Sequence, residues 1–558
     1  MNNSAVTRTA SDAIQAKASA ILNAGYSPDV PGAETYVKLL QTMFGTPVPK
    51  RQTPLVHAGY LLRIQAITSL VHRFVDYVVD DAQIILLGGG LDVTGLWAGE
   101  SFAPSQVRSV LELDLPIVCE TKRDILEQKG LVWFDQQQRT SSHIHQGILK
   151  QAPSTQFALV QVDLSSDDLV WEDVLPKKCW DPNFPTLIIS EVVLAYIGQE
   201  ATDHVLSGLV SILHHAESCV VLLEPLGPSS SDDNTTHDHG QNTILQSYQE
   251  SYATMFQEKM ERGGKADPNV FTPVGSSPQD VGRRLRNRGL GTVVAVSLAN
   301  ATVSAHHQAK ESFDEQVALL LHAQSYVVAC AFPSGGSALF RRVMAPWQSN
   351  VEPFRLNQDL WIASIDQTEE TVVRDLFIEG HGGLTRTNRS VHKLMQGTLK
   401  KDLILTKVDP ADVGVDFTSH FSKYYQERHG CFLVAIDSRN DQIVGFIALS
   451  KASRNAKGLA SKYPNTFEIH RLFVVPEYRS QGVAGHLMDA VQSFGMNQVP
   501  PGDTATFLAT TLNVLDAANR FYERRGFVLH DKEPLPGVLL HHYIIHIPNE
   551  ANGTMKHG

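Results

Sequence analysis

Short apolar runs of strand character recur between stretches of helical spacing through most of this 558-residue chain, and the alternation breaks once. From about Arg8 to Phe332 the runs are Ile84–Leu87, Val110–Leu113, Ala158–Val162, Leu187–Ile189, Val220–Leu223, Val293–Val296 and Val327–Ala331. Parallel strands need a crossover of helix length between them, so this alternation predicts an α/β domain with a mostly parallel sheet. From Pro333 to Asp359 the periodicity fades, with Gly335-Gly336, Pro346 and Pro353 as breakers. A second α/β set follows, with strands expected at Leu360–Ile365, Phe432–Ile436, Ile443–Leu449, Thr466–Val475, Thr506–Thr510 and His541–Ile547. The chain is too long for one core. The expected division is a first domain at 1–333, a linker at 334–357, a second domain at 358–548 and a tail at 549–558. The polar run from Gly227 to Gln241 has nothing to bury and reads as a mobile loop, and Arg454 to Asn465 reads as another loop.

In the first domain, Ile84 to Leu87 runs straight into Gly88-Gly89-Gly90. Glycines let backbone approach a ligand closely because no Cβ intervenes, although an ordinary tight turn reads the same way. The next strand ends in Glu112-Leu113-Asp114, and an acid there can accept from ribose hydroxyls. Asp163 and Glu191 end two further strands. Acids at the carboxyl edge of a parallel sheet either line a crevice or favour the next helix start. The helix beginning near Gly59 carries an apolar stripe through Leu62, Ile67, Leu70, Val71, Phe74 and Val78, with Arg63 on or beside it. Arg63 reads equally as an arginine snorkelling at the rim or as a fixed cation for a carboxylate.

These residues resemble the leucine carboxyl methyltransferase family. The matching stretches are Ser11-Asp12-Ala13 through Lys17, Gly25-Tyr26, Gly59-Tyr60-Leu61-Leu62-Arg63, Leu87 to Asp92, Glu112 to Pro116, Val162-Asp163-Leu164 and, most specific, Pro185 to Tyr196. The resemblance covers roughly residues 8 to 333 and implies a Rossmann-like class I methyltransferase fold with S-adenosylmethionine as cofactor. It places Lys17 and Arg63 on the methionine carboxylate, Gly88 against the cofactor, Asp114 on ribose, Asp163 and Leu164 at adenine, and Glu191 at the methionine end. It implies a free carboxylate as acceptor: a protein C-terminal leucine, as in the phosphatase 2A catalytic subunit, or a modified tRNA base or small molecule as alternatives. A carboxylate is already ionised at pH 7, so no general base is required and catalysis is positioning. Two stretches depart from the family pattern on the acceptor side, Ala58-Gly59-Tyr60-Leu61 and Leu222-Leu223-Glu224-Pro225.

In the second domain, the strand ending at Val475 leads through Arg479-Ser480-Gln481-Gly482-Val483-Ala484-Gly485 into a helix. Free N–H groups at a helix start make an anion site. One strand later comes Asn513 to Phe527, including Asn519-Arg520-Phe521-Tyr522 and Arg525-Gly526-Phe527. The pair of motifs resembles the GNAT acetyltransferase superfamily over about residues 358 to 548, a mixed-sheet α/β fold. By that resemblance Gln481, Gly482, Val483, Ala484 and Gly485 cradle the pyrophosphate of acetyl-CoA, and Asn513 orients the pantetheine arm or the adjoining helix. Tyr522 protonates the departing thiolate. Glu468 shares a strand face with His470, and either could deprotonate an amine; both also read as packed polar residues. The acceptor amine is unspecified, and either half reads alternatively as a non-catalytic binding module, such as an acyl-CoA sensor.

The net charge of −12 argues against a nucleic-acid partner, and the Arg283, Arg284, Arg286 and Arg288 cluster reads as a solvated helix face. Five widely spaced cysteines without a CxxC pattern suit a reducing compartment. No stretch has the length and apolarity of a membrane span, and the first twenty residues lack a secretory pattern. The expectation is a cytoplasmic protein without a membrane partner. The pairs His143/His145, His214/His215, His237/His239, His306/His307 and His541/His542 have no metal-ligand companions and read as solvated, so no metal is expected.

Overall fold

The computed structural model describes residues 3–25, 29–45, 49–79, 81–134, 144–149, 155–228, 244–251, 253–254, 271–302, 316–348, 351–377, 421–452, 459–535 and 538–549. Tyr26, residues 229–241 of the polar loop, residues 454–458 of the second loop, all but Asn549 of the tail, and His143, His237, His239, His306 and His307 lie outside them. The chain divides into two compact units, Met1–Ala345 and Pro346–Gly558. The stretch expected as a linker contains the helix Ala338–Met344, capped by the Ser337 hydroxyl on Phe340 N–H.

The first unit opens with helices α1 (Asn3–Ala18), α2 (Ala33–Phe44) and α3 (Pro54–Val78). α3 starts cleanly because the Thr53 hydroxyl accepts from Val56 N–H and Pro54 sets the first helical φ. Its strands are β1 (Ala82–Leu87), β2 (Val107–Asp114), β3 (Val132–Phe134), β4 (Ile144–Leu149), β5 (Gln156–Gln161), β6 (Thr186–Glu191), β7 (Cys219–Pro225), β8 (Thr292–Ser297) and β9 (Tyr326–Phe332), with α4 (Thr94–Ser101) and α5 (Pro116–Gln128) among the crossovers. The sheet order is β3-β4-β5-β2-β1-β6-β7-β9-β8. β5, β2, β1, β6 and β7 run parallel, while β9 is antiparallel to both β7 and β8. Every residue of β1 is buried, as expected of a strand covered on both faces. After β1 the chain passes to β2 on one side and later to β6 on the other. That reversal opens a crevice at the carboxyl ends of the strands.

The second unit holds β10 (Phe354–Arg355), β11 (Leu360–Ser364), β12 (Cys431–Asp437), β13 (Gln442–Lys451), β14 (Thr466–Val474), β15 (Thr504–Leu512), β16 (Val528–Leu535) and β17 (Val538–Pro548), in the order β10-β11-β12-β13-β14-β15-β17-β16. β14 and β15 are its parallel pair. Their ladder runs only from Thr466↔Thr506 to Ile469↔Ala509, and beyond it β14 stays with β13 while β15 stays with β17. β14 also bulges beside Arg471, whose φ is +57°. The sheet therefore splits in its middle, and a wedge opens beyond residues 469 and 509.

The alternation missed four strands. β3 and β10 are too short to show a period. β4 and β16 are mixed with His, Gln, Asp, Lys and Glu, and β16 is an edge strand, where charge blunts further pairing. Within the second expected loop, Leu459–Lys462 is a helical turn.

Candidate functional site

A cavity of about 220 Å³ opens at the carboxyl ends of β1, β2 and β6, and Lys17, Arg63, Gly88, Asp114, Asp163, Leu164 and Glu191 all line it. The turn after β1 is built for close approach. Gly88 has φ +60°, and a Cβ there would lie 2.4 Å from Val193 Cγ2. Gly90, at φ +54°, donates its N–H to Asp114 Oδ2 at 2.7 Å, while Leu115 N–H donates to Oδ1 at 2.7 Å. Burial raises the Asp114 carboxyl above its ordinary range, and these two backbone donors oppose the rise. Asp163 is exposed and accepts from Ser165 N–H at 2.9 Å and its hydroxyl at 2.5 Å; Leu164 is buried in the core beside it.

Two cations and two anions meet at one end. Lys17 Nζ on α1 lies 2.6 Å from Asp92 Oδ2 and 2.9 Å from Glu191 Oε2. Arg63 on α3 donates from Nε (3.0 Å) and Nη2 (2.8 Å) to Glu191 Oε1. Its guanidinium also lies over the Tyr60 ring, 4.7 Å from the centroid. Arg63 thus faces the cavity rather than bulk water. Burial would neutralise such groups, but pairing wins. Desolvation raises the carboxyls, yet Lys17 brings Asp92 down to about 2, and Lys17 with Arg63 lowers Glu191. Desolvation likewise lowers Lys17, and Asp92 and Glu191 more than restore it.

Three supports were not assigned from sequence. Asp92 follows the glycine turn and takes Thr94 Oγ1 (2.8 Å), Val93 N–H (2.7 Å) and Tyr36 OH (3.2 Å) besides Lys17. Glu112 and Lys122 form a fully buried ion pair beneath the turn, and a Cβ on Gly95 would lie 2.2 Å from Glu112 Oε1. Burial lifts Glu112 to about 7 despite Lys122. A trace of this was visible: Lys122 sits on the buried face of α5 with Val118, Cys119 and Leu126. Glu224, at the end of β7, is fully buried and accepts on Oε1 from Ser190 Oγ (2.7 Å), Val193 N (3.0 Å) and Leu194 N (3.2 Å). It fixes the turn that faces Gly88, and burial raises it to about 7. Beside Arg63, His322 fits flush on Gly59, where a Cβ would lie 2.8 Å from Nε2, and its Nδ1 is 3.3 Å from Tyr248 OH. Burial, then Arg63, lowers His322 to about 4.

In the second unit the turn after β14 places Ser480 at φ +62° and Gly482 at φ +83°, then starts the helix Val483–Met496. Gln481 and Gly482 are exposed, and the first-turn N–H groups around Val483, Ala484 and Gly485 have no partner inside their helix. Gln481 Nε2 donates to Glu477 O at 2.9 Å. Glu468 and His470 are brought together, with Oε2 3.7 Å from Nε2, and Ser450 Oγ lies 2.9 Å from the same nitrogen. Burial lowers His470 to about 3. Tyr522 is buried on the ring of Tyr543, with centroids 5.8 Å apart, and burial lifts it to about 12. Asn513 exchanges bonds with Leu539, its Oδ1 accepting from the N–H at 2.8 Å, so it ties β15 to β17. The adjoining helix turn is instead held by Asn519, whose Nδ2 donates to Leu512 O and Leu515 O, both at 2.9 Å.

Two solvated readings need correction. Arg284 pairs with Asp203 Oδ1 at 2.8 Å, with Arg288 on the other oxygen, so half of the arginine cluster is a helix-to-helix clamp. His542 is buried and bonded to Thr510. Among the described residues no group of three or more His, Cys, Asp or Glu is placed to hold a metal, and no helix is long and apolar enough to cross a membrane.

Comparison with known proteins matches a different family to part of each unit. Residues 5–210 match the family described as leucine carboxyl methyltransferase, and residues 404–527 match the acetyltransferase (GNAT) family. Leucine carboxyl methyltransferase 1 of Bos taurus is 28% identical over 159 residues, covering 28% of this chain and 46% of that protein. The Candida albicans protein of the same name is 25% identical over 183 residues, 32% of this chain and 48% of its own length. The chain thus spans about half the length of these relatives. Among solved structures, a GNAT-family acetyltransferase of Staphylococcus aureus Mu50 is 18% identical, covering 34% of this chain and 98% of that one, with a TM-score of 0.23. A putative streptothricin acetyltransferase of Bacillus anthracis in complex with acetyl coenzyme A is 23% identical, covering 22% of this chain and 68% of that one, with a TM-score of 0.18. Residues 5–210 thus carry a leucine carboxyl methyltransferase domain and residues 404–527 a GNAT acetyltransferase domain, joined in one chain.

Proposed function

We propose that the first unit is an S-adenosylmethionine-dependent O-methyltransferase acting on a free carboxylate, foremost a protein C-terminal leucine, and that the second is an acetyl-CoA-dependent N-acetyltransferase. The observation that carries the first half is the meeting of Lys17, Asp92, Glu191 and Arg63 at one end of the cavity floored by Gly88 and Gly90. Two cations with two anions match an α-amino-acid zwitterion. Its carboxylate would take Lys17 and Arg63, its ammonium Asp92 and Glu191, and Asp114 at the far side of the turn would take ribose. The missing Cβ at Gly88 lets the Val193 turn close directly on the sheet edge, where both residues line the cavity. S-adenosylmethionine, when bound, supplies an activated methyl group. The protein's task is to hold an acceptor oxygen in line, since that oxygen needs no deprotonation at neutral pH.

For the second half, the wedge beyond Ile469 and Ala509 and the exposed turn Ser480–Gly482 support a pantetheine slot with a pyrophosphate cradle. Glu468 is the proposed base and Tyr522 the proposed donor to the thiolate. The five described cysteines are buried and free, in keeping with a reducing cytoplasm.

The test is radiolabelled methyl transfer to a peptide ending in a free leucine carboxylate, with its amidated twin as control. Label on the free peptide alone is expected, and equal labelling of both rejects carboxyl methylation. The C-terminal peptide of the phosphatase 2A catalytic subunit is the first protein tail to try.

A further inference from the structure

The turn that leads from β14 into the helix Val483–Met496 is exposed from Pro476 to Gly482 except at Tyr478, which is half-buried. Its backbone is under strain: Ser480, which carries a Cβ, holds φ +62°, and Gly482 holds φ +83°. Such conformations persist only where the surroundings over-determine them. Three bonds close within the turn or on the strand entering it. Tyr478 N–H donates to Val475 O at 3.1 Å, Arg479 Nε to Val474 O at 2.9 Å, and Gln481 Nε2 to Glu477 O at 2.9 Å. A fourth leaves the turn. Tyr478 OH donates to Asp437 Oδ2 at 2.5 Å, while the Tyr478 ring packs against the core of the unit.

Asp437 is the last residue of β12 and is fully buried. β13 pairs with β12 on one side and β14 on the other, and Val475 N–H bonds Val444 O at 2.9 Å, so the end of β14 lies beside the β12–β13 hairpin. Asp437 Oδ1 accepts from Arg439 N–H at 3.0 Å and Arg439 Nε at 2.9 Å, and Arg439 Nη2 shares Oδ2 with Tyr478. The Arg439 guanidinium, ahead of Tyr478, holds this carboxyl down to about 2 against burial, so it is ionised at neutral pH. The hairpin is tied in turn to the residue before β11: Ser438 N–H donates to Asp359 O at 2.7 Å, and Arg439 Nη1 lies 3.4 Å from Asp359 Oδ2. Hydrogen bonds to an ionised, buried acceptor are roughly twice as strong as neutral ones. Tyr478 is thus fixed at both its ring and its hydroxyl, two residues before the strained Ser480.

We propose that Asp437 and Tyr478 are positioning residues for acetyl-CoA. The buried carboxylate holds the tyrosine, and the tyrosine holds the turn in the shape that aims the N–H groups of residues 481–485 at the pyrophosphate. The inference rests on the reading of this unit as an acyl-CoA site and deepens it. A turn already set in its binding shape spares the ligand the cost of ordering it. Neither side chain meets the thioester, so the clamp governs the nucleotide end of the cofactor and leaves the proposed chemistry of Glu468 and Tyr522 untouched.

The experiment titrates two ligands into the full chain by calorimetry: acetyl-CoA, and S-acetylpantetheine, which carries the same thioester without the pyrophosphate. Tyr478→Phe keeps the ring and deletes the hydroxyl. It should weaken acetyl-CoA about tenfold, the scale of one hydrogen bond to a charged group, and leave S-acetylpantetheine unchanged. Asp437→Ala should show the same selective loss, and the double variant should lose no more than either single one, because the two residues act as a unit. Equal weakening of both ligands by Tyr478→Phe would mean a general loosening and overturns the proposal. So does an unchanged acetyl-CoA affinity, or losses that multiply in the double variant. A wild-type chain that binds neither ligand rejects the acyl-CoA reading itself, and the clamp with it.

Discussion

Arg63 and Glu224 show how much a single position can be asked to do. Arg63 is buried and donates twice to Glu191, so Arg63→Ala leaves that carboxylate short of a partner. We expect S-adenosylmethionine to bind about 2–5 kcal/mol more weakly, the scale of a truncated buried charge pair; an unchanged dissociation constant by calorimetry would remove Arg63 from the site. Glu224 gives a pH signature. Its carboxyl is raised from 4.5 to about 7 in the folded chain. Between those values the folded state holds a proton that the unfolded state has lost, so this group's contribution to stability is present below pH 4.5 and fades as pH rises to about 7. Glu224→Gln keeps the acceptor on Val193, Leu194 and Ser190 without titrating. The variant should therefore gain on wild type between pH 5 and pH 7 in the melting transition that S-adenosylmethionine raises. A constant gap between the two melting curves would refute the assignment. Arg63 was legible as a candidate because a cation stood beside an apolar stripe. Glu224 was not, because burial of a strand-end acid depends on what covers it, and a single sequence does not display that.

The element scale concerns turns. Gly88 holds φ +60° with Val193 where its Cβ would be, so Gly88→Ala combines left-handed strain with a clash against the turn that Glu224 fixes. Overpacking alone should cost about 1–3 kcal/mol, and S-adenosylmethionine binding should be lost before the fold is. Retained affinity in that variant would mean the turn does not approach the ligand. In the second unit, Tyr522→Phe should lower amine acetylation about a hundredfold if the hydroxyl protonates the thiolate; an unchanged rate across an amine panel assigns Tyr522 to ring packing against Tyr543 and Phe527 alone. Strands with apolar runs, glycine turns and helix starts were readable because each follows from local chemistry. The short and polar strands β3, β4, β10 and β16 were not, since their pairing comes from neighbours far along the chain. The bulge at Arg471 and the split between β14 and β15 are likewise properties of a register, which no local run encodes.

At the scale of the whole molecule, two compact units each carry their own sheet and site. Each ligand stabilises only what it binds. S-adenosylmethionine and acetyl-CoA should therefore raise different melting transitions in calorimetry, and a single transition lifted by both would show that the units unfold as one. The order of the two α/β patterns was plain from the alternation alone. The place of Lys17 came only through the family resemblance of Ser11 to Lys17, since no local pattern in residues 3–18 announces that their lysine is buried between two acids. That quartet has a further consequence for molecular discrimination. Because its charges already cancel, a zwitterionic guest swaps partners one for one. An analogue stripped of its carboxylate or of its amine satisfies half the exchange and strands an opposite charge in a dry place. Decarboxylated S-adenosylmethionine should accordingly be rejected far more sharply than one missing contact would suggest, and raising the ionic strength should scarcely loosen the intact cofactor.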